Sequence, residues 1–191
     1  MSSFEHQEVK PNKTTRQAAV AIIVREVNNQ LEMLFIKRAE KEGDPWSGHM
    51  AFPGGHRDPH DPGLKEAAER ETFEEIGLDL SMGNYLGAID HQSAQPRGRI
   101  LNMLIAPHVF EIFDVVEIST NYEVDEVVWA PVEDLLSNKL HDTQTLPMAG
   151  TPTIFNGYKL SGGHFVWGLT YRILKSFFGI IDPSWSGPRE L

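Results

Sequence analysis

Three glutamates near the middle of the chain have the types and spacing that metal-dependent hydrolysis would use. Glu71, Glu74 and Glu75 lie three and four residues apart, so on a helix they share one face. Carboxylates this close repel one another, and a divalent cation is the usual reason for a helix to keep them. The alternative is a solvated acidic helix face, which explains most runs of glutamate.

The residues around these glutamates favour a site over an acidic surface. Pro53–Gly55 predicts a tight turn before the helix, and Gly77 predicts the end of the helix. We expect the helix to occupy residues 62–76, with Asp61 as its N-cap. A glycine turn, an Arg-Glu pair, a Glu-Glu pair and a terminal glycine rarely coincide by chance.

Composition restricts the class of protein. The chain has 191 residues, of which 40% are hydrophobic and 23% are charged, as in an ordinary globular domain. Its net charge of -10 repels nucleic acids and anionic membranes, so we expect neither as a partner. The absence of cysteine excludes disulfides, a thiolate nucleophile and a Cys-ligated zinc site. The N-terminal residues show no signal peptide and no run that could span a bilayer, so we expect a cytoplasmic protein.

Strands and helices alternate along the chain without repeated βαβ units, which predicts a mixed sheet with helices on both faces. Strands are expected at residues 15–24, 31–36, 50–52, 85–91, 100–113, 126–130 and 165–167, and further helices at residues 131–137 and 169–178. Residues 139–160 are expected to be loop-rich. The domain prediction is a flexible segment at residues 1–13, a single domain at residues 14–181 and an extended tail at residues 182–191.

The sequence RETFEEIGL at residues 70–78 resembles the second half of the Nudix box, REUxEExGU, where U is a bulky aliphatic residue. This resemblance implies an α/β/α sandwich with a mixed sheet, and Mg²⁺ or Mn²⁺ bound by the glutamates. Glu71 and Glu75 are then the main metal ligands. Glu74 is a third ligand, or else the partner of Arg70 in a salt bridge. The candidate catalytic residues are Glu75, Glu74 and Arg70, with Arg70 orienting the carboxylates.

The first half of the box departs from the common pattern, which is glycine, five residues, glutamate, seven residues and Arg-Glu. His56 and Pro62 stand where the glycine and the glutamate are expected. The insert Asp58–Asp61 resembles the coenzyme A pyrophosphatase branch of the family. The segment around Arg38 and residues 48–55 also resembles that branch, although Gly43 stands where the branch has a second arginine.

Further residues are candidates for binding and proton transfer. Arg38, Gly54 and Gly55 are candidates for binding the substrate's phosphates, as are Arg97 and Arg99; the alternative for each arginine is an ordinary surface position. Two more glutamates, Glu123 and Glu126, lie in the region where some family members carry an additional base or metal ligand. Their alternative is an exposed position on a strand.

The resemblance implies that the chain hydrolyses the pyrophosphate bond of a nucleoside diphosphate linked to another moiety. Coenzyme A or an acyl derivative is the leading substrate, giving 3',5'-ADP and 4'-phosphopantetheine, and the runner-up is ADP-ribose, NADH or a dinucleoside polyphosphate. A different class stays open, in which a Nudix module senses nucleotides without hydrolysis; a purely structural acidic domain is a third reading. The partner is then a small nucleotide-type molecule, and the oligomeric state is open, a homodimer included.

Overall fold

The computed structural model describes residues 15–44, 46–93, 102–113, 117–148 and 150–191. The predicted flexible segment at residues 1–13, and both Arg97 and Arg99, lie outside these ranges. Among the described residues, no helix combines the length and the apolar character needed to cross a membrane.

The main sheet has eight strands in the described part of the chain. They are β1 (Arg16–Val27), β2 (Gln30–Arg38), β3 (Met50–Ala51), β4 (Gly54–His56), β5 (Asn84–Ala88), β6 (Gln92–Ser93), β7 (Met103–Ile112) and β8 (Val124–Pro131). Strands β1 and β7 pair in parallel, and the other pairs are antiparallel. The sheet is therefore mixed, as the alternating elements predicted.

Helices cover both faces of this sheet. They are α1 (Leu64–Ile76), α2 (Val132–Leu136) and α3 (Gly168–Ile181). Because successive strand residues point to opposite faces, Ala21 and Ile23 of β1 pack with α1, whereas Ile22 and Val24 pack in the core shared with α2 and α3. Two buried layers thus lie on either side of one sheet, which confirms the expected α/β/α sandwich.

A second sheet corrects the prediction of a loop-rich stretch at residues 139–160. Strands β9 (His141–Met148), β10 (Thr151–Lys159) and β11 (Phe165–Trp167) form an antiparallel sheet of three strands. No residue of β9 is fully buried, and Pro147 pairs with Pro152 across the hairpin, so the usual strand signals are weak. Gly157 lies inside β10, where a Cβ atom would come within 2.3 Å of the Val166 carbonyl oxygen.

The C-terminal residues contact the domain although they have no regular secondary structure. The indole nitrogen of Trp185 donates to the Leu136 carbonyl oxygen at 2.8 Å. Glu190 accepts from the Tyr171 hydroxyl at 3.0 Å and pairs with Lys175. The division into one domain and a tail stays a prediction.

The core on the α3 side provides a test of this packing. Phe35 is fully buried, and its ring stacks on Phe52 with centroids 5.2 Å apart. Phe35→Ala should lower the free energy of unfolding by about 3–5 kcal/mol, because it leaves a cavity that the sheet cannot close. Urea denaturation measures this change. Phe73→Ala is the control, since Phe73 is 59% exposed and its loss should matter by less than about 0.5 kcal/mol. Equal losses in both variants would contradict the assignment of the core.

Candidate active site

Helix α1 carries the predicted glutamates to the edge of β4. The helix begins after Gly63, whose backbone is extended, and ends at Gly77, whose φ of 70° is left-handed and whose N–H bonds to the Phe73 carbonyl. Glu71 and Glu75 are one turn apart on the inner side, where Glu75 is only 2% exposed. Two carboxylates are therefore held between the helix and the sheet.

The Glu75 carboxylate is buried beside like charges. Its Oε2 atom accepts a hydrogen bond from the Gly54 N–H at 2.8 Å. Burial, together with the charges of Glu71 and Glu123, raises the pKa of Glu75 to about 8 against the opposing effects of the Gly54 hydrogen bond and the Arg38 charge. Burial also raises the pKa of Glu71. Both groups are thus placed where a positive ion would stabilise their charged forms.

The two glycines of β4 make this close packing sterically feasible. A Cβ atom on Gly54 would come within 2.2 Å of the Ala19 carbonyl oxygen, and its φ of 146° disfavours other residues. A Cβ atom on Gly55 would come within 2.5 Å of the Glu71 carboxylate. Gly54 therefore contacts Glu75 through its hydrogen bond, and the absence of a side chain at Gly55 leaves space for Glu71.

Arg70 donates hydrogen bonds to several acceptors around Glu71 and Glu75. It donates to both carboxylate oxygens of Asp61 at 3.0 Å and to the His56 carbonyl at 3.0 Å. It also pairs with Glu71 at 3.0 Å and with Glu74 at 3.1 Å. The Glu74 carboxylate is 54% exposed, so the structure shows the salt bridge that was the alternative to a role as third ligand. Arg70 is positioned to orient carboxylates.

The prediction that Asp61 caps the helix is wrong. The N-cap is Gly63, and no side chain caps it. Asp61 instead accepts from the Asp58 N–H at 2.7 Å and from Arg70 through two oxygens, and the hydrogen bond from Arg70 holds its pKa below the ordinary value. A bidentate charged pair is stronger than a capping bond, so the carboxylate turns toward the arginine.

The segment before β8 brings Glu123 to the same cluster. The Asn121 N–H donates to the Glu75 carbonyl at 2.9 Å, and the Ala39 N–H donates to the Glu123 carbonyl at 2.8 Å. This segment therefore joins the end of α1 to the end of β2. Since the charge of Glu123 raises the pKa of both Glu71 and Glu75, its carboxylate belongs to their electrostatic environment.

Glu126 has a different partner. Its carboxylate lies 3.1 Å from His164 Nε2 and is 50% exposed. The two glutamates that the sequence could not distinguish therefore have different surroundings, and Glu123 is the stronger candidate for an additional base or ligand.

Arg38 approaches the carboxylates from the end of β2. Its Nη2 atom donates to Asp44 at 2.9 Å, and its charge lowers the pKa of Glu75. Its buried Nε atom has no hydrogen-bond partner among the described residues. An unsatisfied buried donor is costly, and an anionic group bound beside the carboxylates would satisfy it. Sequence reasoning found Arg38 but missed Asp44, which fixes its position.

A cleft of about 390 Å³ opens near the end of β2. Lys37, His49 and Trp167 line it, whereas Arg38 and the helical glutamates do not. The Trp167 ring contacts His49 and Phe155, with centroids 4.8 and 4.5 Å away. Sequence reasoning did not single out His49.

The donor set fits a small divalent cation. Glu71 and Glu75 supply carboxylate oxygens, the ligands that Mg²⁺ and Mn²⁺ prefer, and burial raises the pKa of both. Within the described residues, no group of three acidic or histidine side chains is placed to hold a metal ion. Two carboxylates suit Mg²⁺, which usually keeps waters and substrate phosphates among its ligands.

Stability should depend on pH through Glu75. The unfolded chain releases this proton near the ordinary pKa of 4.5, and the folded chain near 8. Stabilisation by the bound proton is thus complete below pH 4.5 and is lost as the pH rises to about 8. In EDTA, the free energy of unfolding should fall across this range, and saturating Mg²⁺ should reduce the fall.

Urea denaturation at several pH values measures this slope in wild type and in Glu75→Gln, which should flatten it. Glu69→Gln is the matched control, because Glu69 lies on the same helix and pairs with Lys65 at 2.6 Å. Equal slopes in the two variants would show that Glu75 does not carry the linkage.

Comparison with known sequences identifies the family. Residues 15–148 match the family model described as NUDIX domain. An uncharacterized protein of Schizosaccharomyces pombe is 32% identical over 148 residues, which are 67% of this chain and 45% of that protein, so the chain spans less than half of that relative. The mitochondrial coenzyme A diphosphatase NUDT8 of Mus musculus is 28% identical over 91% of this chain and 83% of its own length.

Solved structures agree on the fold. An Ap4A hydrolase of C. elegans in a binary complex has a TM-score of 0.53 and 20% identity, covering 64% of this chain and 85% of its own. A MutT/nudix family protein of Enterococcus faecalis has a TM-score of 0.54 and 18% identity, covering 92% of this chain and 66% of its own. These identities support a shared fold alone. With the NUDIX match over most of the sequence, the chain belongs to the Nudix family.

Proposed function

We propose that this chain is a Nudix pyrophosphohydrolase that uses Mg²⁺ or Mn²⁺ to cleave the pyrophosphate bond of a nucleoside diphosphate linked to another moiety, and that coenzyme A or an acyl derivative is the leading substrate. The observation that carries the proposal is the buried Glu75 carboxylate beside Glu71, under the influence of the charge of Arg38, whose Nε donor has no partner among the described residues. The carboxylates of Glu71 and Glu75 are suitable ligands for a metal ion, and the guanidinium of Arg38 is a suitable donor to a phosphate.

Each residue has a proposed role in this reaction. Glu71 and Glu75 would hold a divalent cation, which would supply charge neutralisation at the phosphates and activation of the attacking water. Arg70 holds Glu71 in position. Arg38 binds a phosphate oxygen. Glu74 forms a salt bridge with Arg70 and thereby helps that arginine to position Glu71.

The chemistry consists of one displacement at phosphorus. The oxygen of a water molecule bonds to one phosphorus of the diphosphate, and the bond from that phosphorus to the bridging oxygen breaks. Glu123 is the proposed base that takes the proton from the water. For coenzyme A the products are 3',5'-ADP and 4'-phosphopantetheine.

The choice of coenzyme A is supported by the relatives that cover most of this chain. The mouse and human proteins named mitochondrial coenzyme A diphosphatase NUDT8 are 28% and 27% identical over 91% and 90% of it. The departure at Gly43 has a local explanation, since its φ of 83° is unfavourable for an arginine. The neighbouring Asp44 instead fixes Arg38 by an ion pair.

The substrate, the location and the oligomeric state are also proposals. ADP-ribose, NADH or a dinucleoside polyphosphate is the alternative substrate, and a nucleotide-sensing module without turnover is the alternative of another class. The cytoplasmic location and a homodimer also remain predictions. The small nucleotide-type partner is common to all these alternatives.

Turnover of coenzyme A, ADP-ribose, NADH and diadenosine tetraphosphate with Mg²⁺ or Mn²⁺ tests the proposed function. Coenzyme A should give the highest kcat/KM, and EDTA should abolish hydrolysis. Glu75→Gln should lower kcat by about 100-fold or more, because it removes a metal ligand, whereas Glu69→Gln should change it less than about threefold. Near-normal turnover in Glu75→Gln would contradict the site, and nucleotide binding without any turnover would favour the sensing module.

Arg38 should act mainly through binding of the substrate. Arg38→Ala is expected to raise KM by about tenfold and to lower kcat by less than about threefold, because the lost contact forms before the reaction. Steady-state kinetics separates the two effects. Lys139→Ala controls for the loss of one positive charge, since Lys139 is 69% exposed. An unchanged KM would place Arg38 outside the substrate site.

A further inference from the structure

We infer that Asp44 is a positioning residue for substrate binding, which holds the guanidinium of Arg38 through one nitrogen and leaves its other donors for a phosphate of the substrate. This inference rests on the proposed function, because it concerns the phosphate-binding group of the same site. It implies that the Asp44 carboxylate increases the affinity for an anionic substrate, although its own charge repels that substrate.

Asp44 is held in place by hydrogen bonds within its own loop. Its N–H donates to the Lys41 carbonyl at 3.1 Å, and its carbonyl accepts from the Ser47 N–H at 3.1 Å. The Ser47 hydroxyl also accepts from the Lys41 N–H at 2.6 Å. The preceding Gly43 has a φ of 83°, which allows the chain to turn at this point. The carboxylate of Asp44 therefore projects from an ordered turn, and its side chain is only 16% exposed.

The two carboxylate oxygens of Asp44 have different partners. Its Oδ2 atom accepts from Nη2 of Arg38 at 2.9 Å, whereas its Oδ1 atom accepts from the Trp46 N–H at 3.0 Å. Burial by itself would raise the pKa of Asp44, but these two hydrogen bonds hold it below its ordinary value, so the carboxylate is charged at neutral pH. Because the backbone of Trp46 occupies Oδ1, Asp44 does not complete the bidentate fork that carboxylates often form with arginine.

A completed fork elsewhere in this protein provides the contrast. Arg70 donates through Nε and Nη2 to the two oxygens of Asp61, at 3.0 Å each. In Arg38 only Nη2 is bonded to the neighbouring aspartate, and Nε has no partner among the described residues. The Arg38 side chain is also 33% exposed, so a ligand can reach it. Arg38 is therefore a fixed cation with donors left for a further anion.

Fixing Arg38 in advance should favour binding of a phosphate. A free arginine side chain has many rotamers, and a ligand that orders it must offset the lost conformational entropy. The ion pair with Asp44 removes part of this cost before the substrate binds. By charge alone, a carboxylate beside a phosphate site would weaken binding of the phosphate. The two effects have opposite signs, so an experiment can separate them.

The variant Asp44→Asn removes the charge and the positioning together. An amide has one acceptor oxygen, which cannot serve both the Trp46 N–H and Arg38. Steady-state kinetics with the substrate that wild type hydrolyses best should show KM raised about fivefold and kcat changed less than about threefold. Loss of a repulsive charge alone would lower KM. Asp125→Asn is the matched control, because Asp125 pairs at 2.5 Å with Lys37, the residue before Arg38; its KM should change less than about twofold.

A double-mutant cycle shows whether Asp44 acts through Arg38. In the Arg38→Ala background, Asp44→Asn should change KM less than about twofold, because the group that it positions is absent. A rise in that background as large as in wild type would overturn the inference. An unchanged or lowered KM in Asp44→Asn alone, or an equal rise in Asp125→Asn, would also overturn it.

Failure of the proposed function has a different signature. Absence of hydrolysis in wild type would reject that function, and calorimetry with inorganic pyrophosphate and Mg²⁺ would then decide the inference. Asp44→Asn should raise the Kd for pyrophosphate about fivefold relative to wild type and Asp125→Asn. Equal Kd values in the three proteins, or no binding to wild type, would overturn the positioning role of Asp44.

Discussion

The hydrogen bond from the Gly54 N–H to the buried Glu75 carboxylate is the contact around which the site is built. It requires β4 to lie against β1 so closely that a side chain on Gly54 would overlap the Ala19 carbonyl. It also requires α1 to be fixed up to its last turn, because Glu75 lies four residues after Glu71 and one residue before the helix end at Ile76. The glycine pair, the helix and the first strand are therefore mutually dependent.

This arrangement places several negative charges close together in a partly buried region. Burial disfavours the ionised forms of Glu71 and Glu75, and the charge of Glu71 also raises the pKa of Glu75. Arg70 offsets part of this charge, but its donors are divided among Asp61, Glu71 and Glu74. A cation bound as proposed would offset the remaining charge and stabilise the folded protein.

Much of the fold was predictable because local patterns were strong. The apolar strands β1 and β2 and the last strand β11 agree with the expectations from sequence. The hairpin of β9 and β10 was not predictable, because β9 has no fully buried residue and each of the two strands contains a proline. Its strands are held by pairing with each other and with β11, which composition alone does not encode.

Only part of the candidate site was predictable from the sequence. Spacing alone placed Glu71 and Glu75 on one helix face, and both line one site. It could not predict the partner of Asp61, because a capping position and an arginine nine residues later compete for the same carboxylate. It also could not separate Glu123 from Glu126, since their surroundings depend on the β2 and β8 pairing and on its irregular register at Lys37 and Arg38.

The connection between β2 and β3, residues 39–49, links the surroundings of the carboxylates to the cleft. It carries Asp44, which fixes Arg38, and His49, which lines the cleft, and two of its glycines, Gly43 and Gly48, have positive φ, whereas the glutamates come from α1. A change in its length can therefore reshape the cleft without altering the helix. In a divergent protein of this architecture, the cleft can diversify through this connection while the carboxylates of α1 stay in place.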